Sequence, residues 1–129
     1  MANEKNESHT LLDTGIQGEV KIADDVVAAI AAIAAGEVDG VGKNSGNIGS
    51  AFFAYVGMKK HEKGVKVEVA EGIAHVEMTI TVRYGYNIPD VSKKVQEKVK
   101  ASIENMTGLS VADVDVRVAG LELQKDDEE

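Results

Sequence analysis

Between Val76 and Val118 the chain reads VEMTITVRYGYNIPDVSKKVQEKVKASIENMTGLSVADVDVRV, and no other stretch restricts the fold so tightly. An alternating segment ends at Gly85-Tyr86-Asn87, Ile88-Pro89-Asp90 opens a helix, Gly108 closes it, and a second alternating segment follows. Proline suits the first helical turn because the N–H it lacks has no intrahelical partner there, and Asp90 suits the positive end of the helix dipole. Val91, Val95, Val99, Ile103 and Met106 recur at spacings of four, four, four and three. The positions between them are polar or small, so the helix presents one narrow apolar stripe to a sheet and the rest to water.

The residues just upstream supply the sheet partner. Val65-Lys66-Val67-Glu68-Val69 alternates, Glu71-Gly72 fits a two-residue turn, and Ile73 to Tyr84 alternates again. With Glu71 and Gly72 as the loop, Val69 faces Ala74, Val67 faces Val76 and Val65 faces Met78, all apolar. On the opposite face Lys66 meets Glu77 and Glu68 meets His75. Such pairs stabilise a hairpin, and a slip of one residue destroys both matches. Downstream, Ala112, Val114, Val116 and Val118 alternate with Asp113, Asp115 and Arg117. At Gly120 the parity breaks, since Leu121 and Leu123 fall on the other face, which predicts a bulge or bend.

Nearer the N-terminus, Ile16, Val20 and Ile22 mark a weak, short edge strand. Asp24-Asp25 then introduces an alanine-rich helix that stops at Gly36, with Val26, Ile30 and Ile33 on one face. Alanine favours helix, and an alanine surface also lets a second helix, from a partner or another copy, approach closely. Ile48, Phe52 and Val56 recur every four residues with Tyr55 beside them, which predicts a short amphipathic helix near 48–59. It would cover the core or serve as a docking element.

The order strand, helix, small helix, strand, strand, helix, strand, with polar outward positions on every strong strand, predicts an α+β fold. The expected architecture is a two-layer sandwich: a small mixed sheet with helices packed on one face, β-α-(α)-β-β-α-β. Residues 1–14 read as a disordered N-terminal arm, 15–123 as a single domain, and 124–129 as an acidic tail. The wet sheet face would carry Lys66, Glu68, His75, Glu77, Thr79, Thr81, Arg83, Asp113, Asp115 and Arg117. Candidate interaction residues are Thr79, Thr81, Arg83 and Arg117 on that face, with Phe52, Phe53, Tyr55 and Val56 from the 48–59 segment.

Composition excludes more than it assigns. A net charge of -8 repels a phosphate backbone, so no nucleic-acid partner is expected. The absence of cysteine removes disulfides, thiolate metal sites and cysteine nucleophiles. The longest apolar run, Val26 to Ala35, is ten residues, about half of a bilayer-spanning helix, so no direct membrane insertion is expected. Met1 to Thr10 is too polar for a signal peptide. GVGKNSG suggests a phosphate loop, but the position reserved for the first glycine is Glu37, and Asn44 replaces the magnesium-binding Ser or Thr. Gly40, Gly42 and Gly46 also miss the dinucleotide spacing. His9, His61 and His75 form no metal-ligand spacing, and no serine has a nucleophile-elbow context. No catalytic residue, cofactor or metal is expected. The competing reading is a small-molecule or nucleotide-binding regulator using the Gly-rich loop 40–49.

The segments AAGEVDGV (34–41), GVKVEV (64–69), YGYNIPDVSKKVQEKV (84–99) and IENMTGLSVADVDVRV (103–118) follow in an order that resembles the alkaline shock protein family, the cell-envelope stress response proteins of Gram-positive bacteria. The resemblance covers about residues 15–123, and its signature is Tyr84-Gly85, Pro89, Val95-Gln96 and Met106-Thr107-Gly108. It implies a non-enzymatic, cytoplasmic protein that forms homo-oligomers. Some members are held peripherally at the inner face of the membrane by an integral membrane anchoring protein. The family has no catalytic motif to transfer, so Gly40, Tyr84, Gly85, Pro89 and Gly108 are expected to be structural.

Overall fold

The computed structural model describes residues 10–12, 16–43 and 64–123. Its elements are β1 (Thr10–Leu12), β2 (Val20–Ile22), α1 (Asp24–Gly36), β3 (Val65–Ala70), β4 (Ile73–Arg83), α2 (Ile88–Thr107) and β5 (Ser110–Glu122). The fold is α+β: among the described residues two helices pack on one face of a three-stranded mixed sheet of order β3-β4-β5. β1 and β2 form a separate antiparallel pair. The expected strand at 16–22 is therefore shorter, and its partner Thr10–Leu12 lies in the stretch read as a disordered arm. The helix expected near 48–59 and the acidic tail 124–129 lie outside the described residues.

β3 and β4 pair in the register that cross-strand chemistry predicts: Val65 opposite Met78, Lys66 opposite Glu77, Val67 opposite Val76, Glu68 opposite His75 and Val69 opposite Ala74. Glu71 and Gly72 both have positive φ, 52° and 78°, as a two-residue turn requires if its twist is to match the strands. β5 runs parallel to β4, reached through α2, with register shifts between Ala74 and His75 and between Ile80 and Thr81. Each shift places one extra residue on β5, Ala112 at the first and Ala119 at the second. The first bulge makes Val111, not Ala112, the buried residue at the start of the strand. The second is the predicted parity break: it sets Leu121 opposite the buried Val82, at an end where Leu121 stays exposed.

α2 begins as predicted, with Pro89 in its first turn and the Asn87 side chain accepting a 2.9 Å hydrogen bond from the Asp90 N–H. It ends at Gly108, left-handed at φ 81°, whose N–H donates to the Glu104 carbonyl. Val91, Val95, Val99 and Ile103 are buried, but Met106 is 69% exposed and Thr107 takes its place inside. A stripe repeating every four residues winds about 40° around the helix at each step, so by the last turn the contact side has moved past Met106. The buried Thr107 hydroxyl is satisfied: it donates to the Ile103 carbonyl at 2.6 Å and accepts from the Leu109 N–H at 3.0 Å.

The core lies between the inner sheet face and both helices, with Val76, Ile80, Val82, Val95, Val99 and Ile103 almost fully shielded. On α1 the buried large residues are Val27 and Ile30, whereas Ile33 is 44% exposed. Six alanines of this helix, including Ala31 and Ala35, are buried as well. The helix that approaches closely is α2 of the same chain, so the alanine surface is used within the fold.

Candidate interaction surface

The outer sheet face is assembled by strand alternation. Lys66, Glu68, His75, Glu77, Asp113, Asp115 and Arg117 lie on it, with Thr79, Thr81 and Arg83 half-buried toward its far end. Register gathers the charges into transverse rows: Glu68, His75 and Asp113 in one, Lys66, Glu77 and Asp115 in the next, and Thr79 beside Arg117. His75 Nδ1 lies 3.1 Å from Asp113 Oδ2, so its nearest carboxylate partner comes from β5. Both side chains are about half exposed (53% and 50%). Such a pair lacks the shelter from water that an acid–base dyad needs. A depression of about 770 Å³ is bordered by Asp24, Asp25, Glu68, Glu77, Asp113 and Asp115, with Lys66 and His75 among them. Its field favours cations over phosphates. Among the described residues no three His, Cys, Asp or Glu side chains come together as a metal site.

The far end of the sheet is a tied cluster. Gly40, Val41 and Gly42 run against β4, with the Arg83 N–H donating to the Gly40 carbonyl at 2.8 Å and the Gly42 N–H to the Thr81 carbonyl at 2.9 Å. Across the sheet, Glu122 accepts from the Thr81 hydroxyl at 2.9 Å and from the Lys43 N–H at 3.1 Å. A Cβ at Gly42 would collide with Thr81 Oγ1 and sit 2.6 Å from the Glu122 carboxylate, so only glycine leaves room for this arrangement. Residues 40–43 are thus committed to the sheet, and Glu122 places a negative charge where a phosphate cradle would need donors. Residues 44–49 of the competing nucleotide-loop reading lie outside the described residues.

Of the candidate interaction residues, Thr81 and Arg83 belong to this cluster, while Arg117 stands on β5 beside Thr79. Phe52, Phe53, Tyr55 and Val56 lie outside the described residues. Gly40, at φ 98°, leaves no room for a Cβ beside Tyr86 and Val91, and Gly85, at φ 101°, turns the chain after β4. Tyr84 is 65% exposed, although its N–H donates to the Glu122 carbonyl at 2.7 Å. Sequence reasoning missed Glu122, whose available signal is a lone acid between two leucines at a parity break, and considered Gly42 only as part of the Gly-rich loop.

α2 fixes one flank of β5 through polar side chains. Gln96 Nε2 donates to the Val114 carbonyl at 3.0 Å, and the Val111 N–H donates to Glu104 Oε2 at 2.9 Å. That backbone hydrogen bond, with the Lys100 ammonium 3.1 Å away, holds the Glu104 carboxyl below the usual glutamate range.

These features define a small two-layer α+β domain with an open, charged sheet face and no helix among the described residues long and apolar enough to cross a membrane. The chain belongs to the alkaline shock protein family, described by its cell envelope-related function, whose family model matches residues 13–123. It is 37% identical over 105 residues to the uncharacterized protein YqhY of Bacillus subtilis strain 168, covering 81% of this chain and 78% of that protein. It is 33% identical over 106 residues to YloU of the same strain, also uncharacterized, covering 81% of this chain and 88% of that one. A stress response regulator gls24 homolog of Streptococcus pyogenes serotype M3 is 28% identical over 115 residues, covering 88% of this chain and 64% of the relative. No solved structure matches the chain significantly.

Proposed function

We propose that this protein is a non-enzymatic cell-envelope stress scaffold that self-associates and is recruited to the inner face of the membrane by a partner protein. The observation that carries the reading is the family match across residues 13–123, which spans every element of the sandwich. The surface chemistry supports it: charge is displayed on an open sheet face, and the titratable groups there lie in water. Residues 40–43, tied to Thr81 and Glu122, favour this reading over a phosphate-binding loop. Two measurements test it together: the mass of the purified protein across a wide concentration range, and the position of a fluorescent fusion in stressed cells. Concentration-dependent assembly with a rim of fluorescence at the membrane is the expected result. A strictly monomeric protein that stays diffuse under stress overturns the proposal.

A further inference from the structure

β5 is one border of the main sheet, and between its bulges Asp113–Val118 runs in unbroken register with His75–Ile80. In a parallel ladder the N–H and C=O of one residue point to the same side, and the side alternates along the strand. The Val114 carbonyl is met by Gln96 from α2, not by β4, so Val114, Val116 and Val118 direct their backbone groups outward, and a strand paired there must share that carbonyl's second lone pair with Gln96 or displace it. Border strands are blunted by proline, brevity, charged side chains, bulges or a covering helix or loop, and β5 carries its bulges only at the two ends of this stretch. This one is regular for six residues and contains no proline there, and its central stretch carries one charge of each sign, Asp115 and Arg117.

Those charges are arranged for self-pairing. Val114-Asp115-Val116-Arg117-Val118, laid antiparallel on a second copy about Val116, sets Asp115 opposite Arg117 twice and Val114 opposite Val118 twice. Among the described residues neither Asp115 nor Arg117 takes part in an ion pair. Within the chain Asp115 lies beside a like charge, Glu77, whose other neighbour is Lys66. A cation on its outer side is what Asp115 lacks. The opposite border, β3, has a similar pattern in Val65 to Val69, but there Lys66 already faces Glu77 and Glu68 faces His75.

We propose that β5 is the seam of a symmetric dimer, in which two copies pair antiparallel about Val116 and reciprocal Asp115–Arg117 contacts set the register of a continuous six-stranded sheet. The proposal deepens the self-association reading above and rests on it. Sedimentation equilibrium on the full chain tests it with D115R and R117D, each of which puts like charges opposite each other at two symmetric places. Each variant alone should dimerise on the order of tenfold more weakly. An equimolar mixture of the two should regain association, because the two cations of one copy then meet the two carboxylates of the other. V116P provides a second route: the N–H it removes points outward, so the β4 ladder survives while the seam is blocked. Unchanged circular dichroism in each variant verifies the fold. K66E, on the opposite border, is the control and should leave association unchanged. If the wild-type protein dimerises but the β5 variants leave it unaltered, or only K66E weakens it, the β5 seam is wrong and self-association stands. A wild-type protein that stays monomeric overturns both.

Discussion

Replacing Gly40 by alanine separates two costs that the structure places at one residue. Its φ of 98° lies where a side chain is strained, for which about 1–2 kcal/mol is expected. A Cβ there would also lie 2.8 Å from both Tyr86 Cδ2 and Val91 Cγ2. Tyr86 is 42% exposed and can swing outward, but Val91 is 4% exposed and anchored in the core, so its methyl group decides the outcome. Overpacking of this kind costs roughly 1–3 kcal/mol, giving about 2–5 kcal/mol in total. Gly85 provides the control, because its φ is 101° and nothing lies within 4 Å of the Cβ it would gain. Gly85→Ala should therefore lose only the conformational part, about 1–2 kcal/mol. Urea denaturation should place the Gly40→Ala midpoint roughly 1 M below that of Gly85→Ala at an unchanged slope. Coincident midpoints would refute the seating of Gly40 against Val91 at the start of α2.

Ile103→Ala should cost about 2–5 kcal/mol in urea unfolding, whereas Met106→Ala, three residues along the same sequence stripe, should stay within about 0.5 kcal/mol. Equal losses would contradict the winding of the buried stripe. Thr107→Val leaves the Leu109 N–H without its acceptor and should destabilise by about 1–3 kcal/mol in the same assay, although valine is nearly the same size. Glu104, held below its usual range by the Val111 N–H and by Lys100, contributes stability that is present above the unfolded glutamate value of about 4.3. That contribution is lost as the pH falls through the lower folded value. The stability difference between wild type and Glu104→Gln should therefore be largest above about pH 5 and shrink on acidification; a difference constant with pH would remove Glu104 from the acid response.

Local pairing made much of the fold legible. The β3–β4 register follows from apolar partners on one face and opposite charges on the other, because a one-residue slip reverses every side chain at once. The ends of α2 were equally visible, since Pro89 and Gly108 act through their own backbones. The inward side of the last helical turn was not, because Met106 and Thr107 lie about 60° and 40° to either side of Ile103 and only the position of the neighbouring sheet selects between them. On α1 the same limit applies: alanine buries as readily as valine, so composition left open which side faces inward, and contact with α2 resolved it. Glu122 joins Lys43 and Thr81 across intervals of 79 and 41 residues, beyond any local pattern.

The sequence by itself determined the order of the described elements from β2 to β5, the hairpin register, the limits of α2, the charged outer face and the family, since each depends on neighbours a few residues apart or on a motif in order. Tertiary structure decided which residue of a near-equivalent pair is buried, where β5 takes its extra residues, and which charges gain partners. Those outcomes depend on the fit of surfaces distant in the chain, and a shift of one residue or a rotation of part of a helical turn reverses them.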